Sequence, residues 1–267
     1  MAATSASGRP CLTEPQGLGL AGGPRKGSPS YGVGDGMKVE IWSDVVCPWC
    51  YIGKRRFEQA LAGFAHAADV EVVWRAFELD PSAPAERHGE YAVRLAEKYG
   101  TGMAAAEQMI DTMTQAAAAE GLDFHFERAR VGNTFDAHRL LHLAGERGVQ
   151  DAVKEHLLRA AFTDGEPVGD AETLVRLVSE AGLDADEARR VLADGTYGDD
   201  VREEQRESQS LGITGVPFFV IDRTYGISGA QPAGLLLQAL EQAWSERAPL
   251  RVLSGNAGTC EGDACAV

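Results

Sequence analysis

Strand-like periodicity occurs at two places in this chain, and they lie far apart along it. Lys38-Val39-Glu40-Ile41-Trp42 alternates polar and apolar residues, and Val70-Glu71-Val72-Val73-Trp74-Arg75 is a second strand pattern. Between them Phe57, Leu61 and Phe64 recur at helical spacing. Strand, helix and strand at this length make a βαβ unit, which implies a parallel pair with a right-handed crossover. The strand signal returns only at Val216-Pro217-Phe218-Phe219-Val220-Ile221. Asp222-Arg223 then reads as a tight turn and Tyr225-Gly226-Ile227-Ser228 as a returning strand. Pro232 opens a last helix carrying Leu235, Leu236, Ala239, Leu240 and Ala243. With the intervening stretch removed, these segments form an α/β sandwich whose halves come from opposite ends of the chain.

That intervening stretch is helical. Tyr91, Ala92, Leu95 and Tyr99 mark one apolar stripe, ended by Gly100. Ala106, Met109, Ile110 and Met113 mark a second, ended by Gly121, and Leu140, Leu141 and Ala144 a third, ended by Gly148. A fourth helix spans roughly Val149 to Phe162. Asp170 reads as the N-cap of a fifth, Asp184 with Glu187 resembles a capping box for a sixth, and a seventh, strongly charged helix ends near Leu211-Gly212. The boundaries read from these patterns are a tail over 1–36, an α/β domain over 37–85 and 212–248, a helical insertion over 86–211, and a C-terminal tail over 249–267.

The chain has 267 residues and a formal net charge of −15. Residues 1–36 hold Arg9, Arg25 and Lys26 against Glu14 and Asp35, so the excess negative charge lies beyond them. A surface this acidic repels phosphate backbones, which argues against nucleic-acid binding. No run of 18 apolar residues is present, which argues against a membrane span. The first 36 residues are rich in Gly, Pro, Ser and Ala and lack the pattern of a secretory signal, so they read as a disordered tail, with Met37 a candidate start. The expected compartment is a reducing cytoplasm, where a close cysteine pair is catalytic or metal-binding before it is structural.

The close pair is Cys47-Pro48-Trp49-Cys50, at the junction of the first strand and the first helix. A sulfur at a helix start faces unpaired backbone N–H groups and the positive end of the helix dipole, which favour thiolate over thiol. Cys47 is therefore expected to be the nucleophile and Cys50, one turn on and inward, the resolving thiol. Pro48 sets the helix start and Trp49 adds apolar surface beside the sulfur. Asp44, three residues earlier, either assists proton transfer at the buried thiol or bonds its own turn. Cys260 and Cys265 form a second pair near the C-terminus, and Cys11 lies in the N-terminal tail. One alternative joins Cys47, Cys50, Cys260 and Cys265 as four zinc ligands, although the βαβ context favours redox chemistry and no metal.

The segment Ser43-Asp44-Val45-Val46-Cys47-Pro48-Trp49-Cys50-Tyr51-Ile52-Gly53-Lys54 resembles the active-site segment of the DsbA-like thioredoxin family, specifically its FrnE branch. Thr214-Gly215-Val216-Pro217-Phe218-Phe219 resembles the family's second signature, and Asn133-Thr134 with Ala137-His138-Arg139-Leu140 is similar to a segment of its helical insertion. The likeness covers about residues 37–248. It implies a thioredoxin fold, β-α-β then β-β-α, with a large all-helical insertion. It implies that Pro217 is cis and opposite Cys47, leaving the Val216 backbone to pair with a substrate, and that His138 faces the site as a modulator. Asn133 reads as an N-cap-region residue. C-terminal cysteine pairs occur in some relatives, which implies that Cys260 and Cys265 act as a second redox pair.

The activity implied is that of a dithiol oxidoreductase or disulfide isomerase acting by thiol–disulfide exchange on protein or small-molecule disulfides, with no cofactor beyond glutathione or another thiol as co-substrate and an oxidising or reducing thiol partner. The chain acts as a monomer or a homodimer on this reading. The competing reading is a glutathione-dependent enzyme. The fold also serves 2-hydroxychromene-2-carboxylate isomerases and kappa-class glutathione transferases, which typically carry serine where Cys47 stands. The FrnE association with polyketide biosynthesis leaves a small-molecule role open.

Overall fold

The computed structural model describes residues 36–247 except 88. The two tails read from the sequence, with Cys11, Cys260 and Cys265, therefore lie outside the described residues. Strand β1 (Met37–Ser43) is followed by helix α1 (Pro48–Gly63), a short 3-10 turn and strand β2 (Val70–Ala76). Seven helices come next: α2 (Tyr91–Tyr99), α3 (Met103–Ala119), α4 (Phe135–Glu146), α5 (Gln150–Arg159), α6 (Ala171–Glu180), α7 (Ala185–Asp194) and α8 (Gly198–Ser210). Strands β3 (Phe218–Ile221) and β4 (Tyr225–Ser228) and helix α9 (Ala233–Ser245) are the last elements among the described residues. The four strands form one sheet in the order β2-β1-β3-β4. β1 and β2 are parallel, and β3 runs antiparallel to both β1 and β4, with Ile41 level with Trp74 on one side and Phe219 on the other. This is the thioredoxin-like arrangement expected from the sequence.

One sheet face carries Met37, Val39, Ile41, Phe219 and Ile221, which pack with Phe57, Ala60 and Phe64 of α1 and with Leu236, Leu240 and Ala243 of α9. Each large side chain buried there contributes about 2 kcal/mol of hydrophobic stabilisation. The opposite face is not open to water. Trp42 packs with Ile213 and Val220 and donates its Nε1–H to the Glu204 carbonyl of α8 at 3.2 Å. Glu40, the polar member of the alternating strand pattern, is buried too, and Arg75 and Arg223 hold its carboxylate.

The helical insertion does not stand apart from the sheet domain. Its core, with Leu140, Leu157, Phe162, Leu174 and Val178, also takes in Val45, Tyr51 and Ile52 from around the CPWC segment. Helix α1 thus packs on the sheet with one side and on the insertion with the other. The exposed backbone of edge strand β2 is covered by α5: Gln150 accepts from the Trp74 N–H at 2.9 Å and donates to the Trp74 carbonyl at 3.1 Å.

Several local expectations need adjustment. The fourth helix stops at Arg159 and passes into a π-helical turn over Ala160–Asp164. Met109 and Tyr99, placed on apolar stripes by periodicity, are exposed. Asp170 and Asp184 do cap α6 and α7, accepting from the Thr173 and Glu187 N–H groups at 2.9 and 2.8 Å. Glu187, however, turns to Arg147 instead of closing the capping box. The β3–β4 turn places Asp222 and Arg223 at positive φ, 46° and 55°, without the usual Asn or Gly. Tertiary contacts hold it: Lys38 donates its N–H to Asp222 at 2.8 Å, and Arg223 reaches Glu40.

Glu204 of α8 is the main polar clamp between the insertion and β2. It accepts from Arg75 Nη1 at 2.6 Å and from the Ala76 N–H at 2.7 Å, and His142 Nε2 lies 3.2 Å away. Burial alone would push its carboxyl up, but His142, the Ala76 N–H and Arg75 outweigh that and hold it below the usual value. Breaking such a buried cluster from one side costs about 3 kcal/mol, so Glu204→Ala should lower the urea midpoint accordingly. A carboxylate depressed in the folded state stabilises fully above its unfolded value, and the contribution is lost as pH falls through the folded one. The wild type should therefore lose stability more steeply than Glu204→Ala on acidification below the ordinary carboxylate range, measured by urea unfolding across a pH series.

Candidate active site

β1 ends at Ser43 because the chain turns sharply: the Cys47 N–H bonds the Asp44 carbonyl at 3.3 Å. Pro48 then starts α1 with Cys47 at its N-cap. Cys47 has extended backbone geometry and no side-chain cap bond, so its sulfur is not used to close the helix. Instead its Sγ–H donates to the Val216 carbonyl at 3.6 Å. The Val216–Pro217 peptide is cis, and Gly229 N–H bonds the Pro217 carbonyl at 2.8 Å, which fixes this loop to the segment after β4. The structure thus brings Cys47, Val216 and Pro217 together from positions 169 residues apart in the chain.

Both thiols are free and both are shielded: Cys47 is 4% exposed and Cys50 fully buried. Trp49, between them, is the exposed member at 37%. The Cys50 thiol is pushed well up, first by burial and then by its hydrogen bond to Cys47 and that sulfur's charge. Such a thiol holds its proton until something nearby favours the charged form.

Asp44 is 1% exposed, and its carboxylate accepts from the Leu79 N–H at 2.7 Å and the Val46 N–H at 3.5 Å. It therefore bonds its own turn and also ties down the loop after β2. His138, equally buried on α4, places Nε2 3.5 Å from Asp44 Oδ1, out of line for a hydrogen bond. Burial would raise the Asp44 carboxyl, but His138, the Leu79 N–H and Lys154 outweigh it and hold it below the usual value. His138 therefore faces the site through Asp44. Asn133 serves its helix start, accepting from the Phe135 N–H at 3.0 Å.

Three residues escaped the sequence reading. Lys154 of α5 is fully buried, and its charge acts on Cys50, Asp44 and Cys47. Tyr91, read only as part of a helix stripe, has its phenol pushed up by burial and by the charge of Cys47, so the start of α2 lies at the site. Gly53 sits where a β-carbon would meet Pro217 Cγ at 2.8 Å. A bare backbone is needed there for α1 to lie against the cis-proline loop. The legible signal for Lys154 was a charge at an apolar-face position of its helix, beside Val153, Leu157 and Leu158.

A charged cleft of about 710 Å³ lies further along the α1–α5 seam, lined by Lys54, Arg55, Glu58, Asp151 and Glu155 among others. It does not include Cys47, Val216 or Pro217, and its cations are already paired: Lys54 reaches Glu155 at 3.2 Å and Arg55 reaches Glu58 at 2.8 Å. It serves as a polar seam joining α1 to the insertion. Among the described residues no group of three or more His, Cys, Asp and Glu side chains is arranged to hold a metal. No helix among them is long and apolar enough to cross a membrane.

Three comparisons bear on this geometry. The sequence profile of the DSBA-like thioredoxin domain family matches residues 38–241. The crystal structure of SCO1869 from Streptomyces coelicolor, described as a probable DsbA oxidoreductase, is 52% identical, covers 86% of this chain and 99% of its own, and superposes with a TM-score of 0.77. The uncharacterized protein YwbO of Bacillus subtilis is 29% identical over 70% of this chain and 88% of its own. A 2-hydroxychromene-2-carboxylate isomerase shares the fold, with a TM-score of 0.56 at 15% identity, over 77% of this chain and 95% of its own.

The Gly53–Pro217 contact makes a direct test. Alanine gains about 1 kcal/mol of helix propensity over glycine, whereas overpacking costs about 1–3 kcal/mol and wins when the neighbour is a rigid ring. Gly53→Ala should lower the urea midpoint and slow exchange of Cys47 with a small disulfide, since the cis-proline loop must move off the sulfur. Unchanged values for both would show that the loop gives way freely.

Proposed function

We propose that this chain, which belongs to the DSBA-like thioredoxin domain family, is a thiol–disulfide oxidoreductase working through Cys47 and Cys50. The observation that carries the reading is the placement of the Cys47 sulfur at the helix start against the Val216 carbonyl, with Cys50 buried one turn behind it. Cys47 as thiolate attacks one sulfur of a substrate disulfide; a Cys47–substrate bond forms, and the other substrate sulfur leaves as a thiol after taking up a proton. Cys50 then gives up its proton and attacks the Cys47 sulfur. The Cys47–Cys50 bond forms, the bond to substrate breaks, and the second substrate sulfur takes the proton. The substrate is reduced by two electrons and the pair oxidised by two. Run backwards, the same steps oxidise a dithiol.

The substrate on this reading is a disulfide-bearing protein or small molecule, and glutathione or another thiol restores the dithiol. An extended substrate segment fits beside Val216, where the backbone lies next to the reacting sulfur. On this reading the chain works in a reducing cytoplasm, where a close cysteine pair is catalytic before it is structural. The fold is shared with an isomerase, so fold alone does not select the chemistry. The second thiol, Cys50, favours exchange over glutathione-dependent isomerisation of a small molecule, because a reaction without disulfide exchange leaves no mixed disulfide to resolve. On the same chemistry Cys260 and Cys265 form a second pair that exchanges with the first.

Insulin reduction with dithiothreitol tests the reading: the wild type should accelerate it and Cys47→Ser should fall to the uncatalysed rate. Activity surviving the loss of Cys47 would overturn it. Under mild oxidation Cys50→Ser should trap Cys47 in a disulfide with Cys260 or Cys265, identified by peptide mapping; its absence would remove the tail pair from the exchange.

A further inference from the structure

A lysine in the interior of a protein needs an account, because an ammonium without water or a hydrogen-bond partner is among the most unfavourable groups to bury. Lys154 is 0% exposed, and its Nζ has no hydrogen-bond partner. Its Nζ lies over the Trp74 ring, with the centroid 5.5 Å away. Packing does not explain the charge, since a methionine would fill the same space without it. Its neighbours in sequence, Val153, Leu157 and Leu158, lie in one core with Val45, Tyr51 and Ile52, the residues that flank Cys47 and Cys50. The next residue along, Glu155, accepts from Tyr51. The turn of α5 that carries Lys154 is therefore seated against the first turns of α1.

The groups around it are of one kind. On α1 it faces Cys50, and Lys54 is a like charge that opposes its own. From the β1–α1 turn it faces Asp44 and Cys47. From β2 it faces Trp74, and α4 sends His138 to the far side of Asp44. Acids and acid-forming thiols thus surround one unpartnered base.

We propose that Lys154 is a positioning residue for the second half of the exchange: a cation delivered by the helical insertion to favour negative charge on Cys50. The proposal rests on the oxidoreductase reading. In the resolving step the buried Cys50 thiol must lose its proton before it can attack the Cys47 sulfur. Burial opposes that loss, and Lys154 is the nearby group whose charge favours it. Burial also brings the lysine down to about 8, with Cys50, Asp44 and Cys47 pulling the other way, so its own protonation follows the charge of its neighbours. When Cys50 becomes a thiolate the ammonium is favoured, and when the Cys47–Cys50 bond forms that partner is lost. Asp44, held ionised, is the remaining counter-charge in either state. Lys154 donates nothing to the substrate and contacts no reacting atom; its effect is on the ease of ionising Cys50.

The two halves of the reaction can be timed separately in the full-length chain with Cys11, Cys260 and Cys265 replaced by serine. The reduced protein is mixed with 5,5′-dithiobis(2-nitrobenzoate). Attack by Cys47 releases one thionitrobenzoate, and attack by Cys50 on the resulting mixed disulfide releases the second. Removing the cation by Lys154→Met should change the first release by less than about threefold, slow the second about tenfold at neutral pH, and move its pH midpoint up by about one unit. Lys154→Gln, which is also uncharged, should do the same and serves if the methionine variant does not fold. A second release with wild-type rate and pH profile would overturn the role of Lys154, as would equal slowing of both releases. Failure of the underlying reading looks different: the otherwise unsubstituted serine-background protein would not release two equivalents in sequence.

Discussion

The α-carbon of Gly53 lies against the ring of Pro217, with no room for a methyl group between them. That contact sets how closely α1 approaches the loop before β3. The Cys47 sulfur sits at the start of the same helix, so the approach also sets the distance from the sulfur to the Val216 carbonyl. Arg56 reinforces it, donating to the Ala230 carbonyl and to Glu120 just after α3, both at 2.6 Å. A helix N-terminus held this firmly against another strand's loop is a way of fixing a sulfur in place while leaving its lone pairs uncommitted.

The insertion reaches the surroundings of the two cysteines through the same helix. Its hydrophobic core extends over Val45, Tyr51 and Ile52, its α4 sends His138 toward Asp44, and its α5 brings Lys154. Polar contacts between α1 and α5 run along the outside of this seam, from Tyr51 and Arg55 to Glu155 and from Lys54 to Asp151. The outer rim is a set of satisfied ion pairs. The inner layer, closer to the thiols, holds an acid, a base and a histidine with few hydrogen bonds among them. Charge in the inner layer is therefore more sensitive to the state of the thiols than charge at the rim, because fewer local partners compete for it.

Much of this arrangement was legible beforehand for a physical reason. The periods of two and 3.6 residues report burial of one face, and burial is what the strands and most helices here share, so the order of elements followed from pattern alone. Cys47 at a strand-to-helix junction was visible because Pro48 follows it. Caps at Asp170 and Asp184 were visible because a short carboxylate before an apolar stripe has one obvious local use. Local signals were less informative where a distant element supplied the partner. Glu40 read as the polar half of an alternating strand but is buried, its carboxylate held by Arg75 of β2 and Arg223 of the β3–β4 turn. Met109 and Tyr99 matched a helical stripe on helices that are only partly covered. Asp222 and Arg223 adopt positive φ because Lys38 and Glu40 hold them there.

The sequence by itself determined the thioredoxin-like order of strands and helices, the position of the insertion and the cysteine pair at a strand-to-helix junction, because each rests on local pattern or on chemistry carried by neighbouring residues. Tertiary structure alone decided how closely other residues approach those cysteines. Val216 and Pro217 reach Cys47 across the sheet, Gly53 permits the approach, and Lys154 and His138 arrive from the insertion. Their roles depend on distance and on exclusion of water, and neither quantity is carried by a residue's own neighbours in the chain.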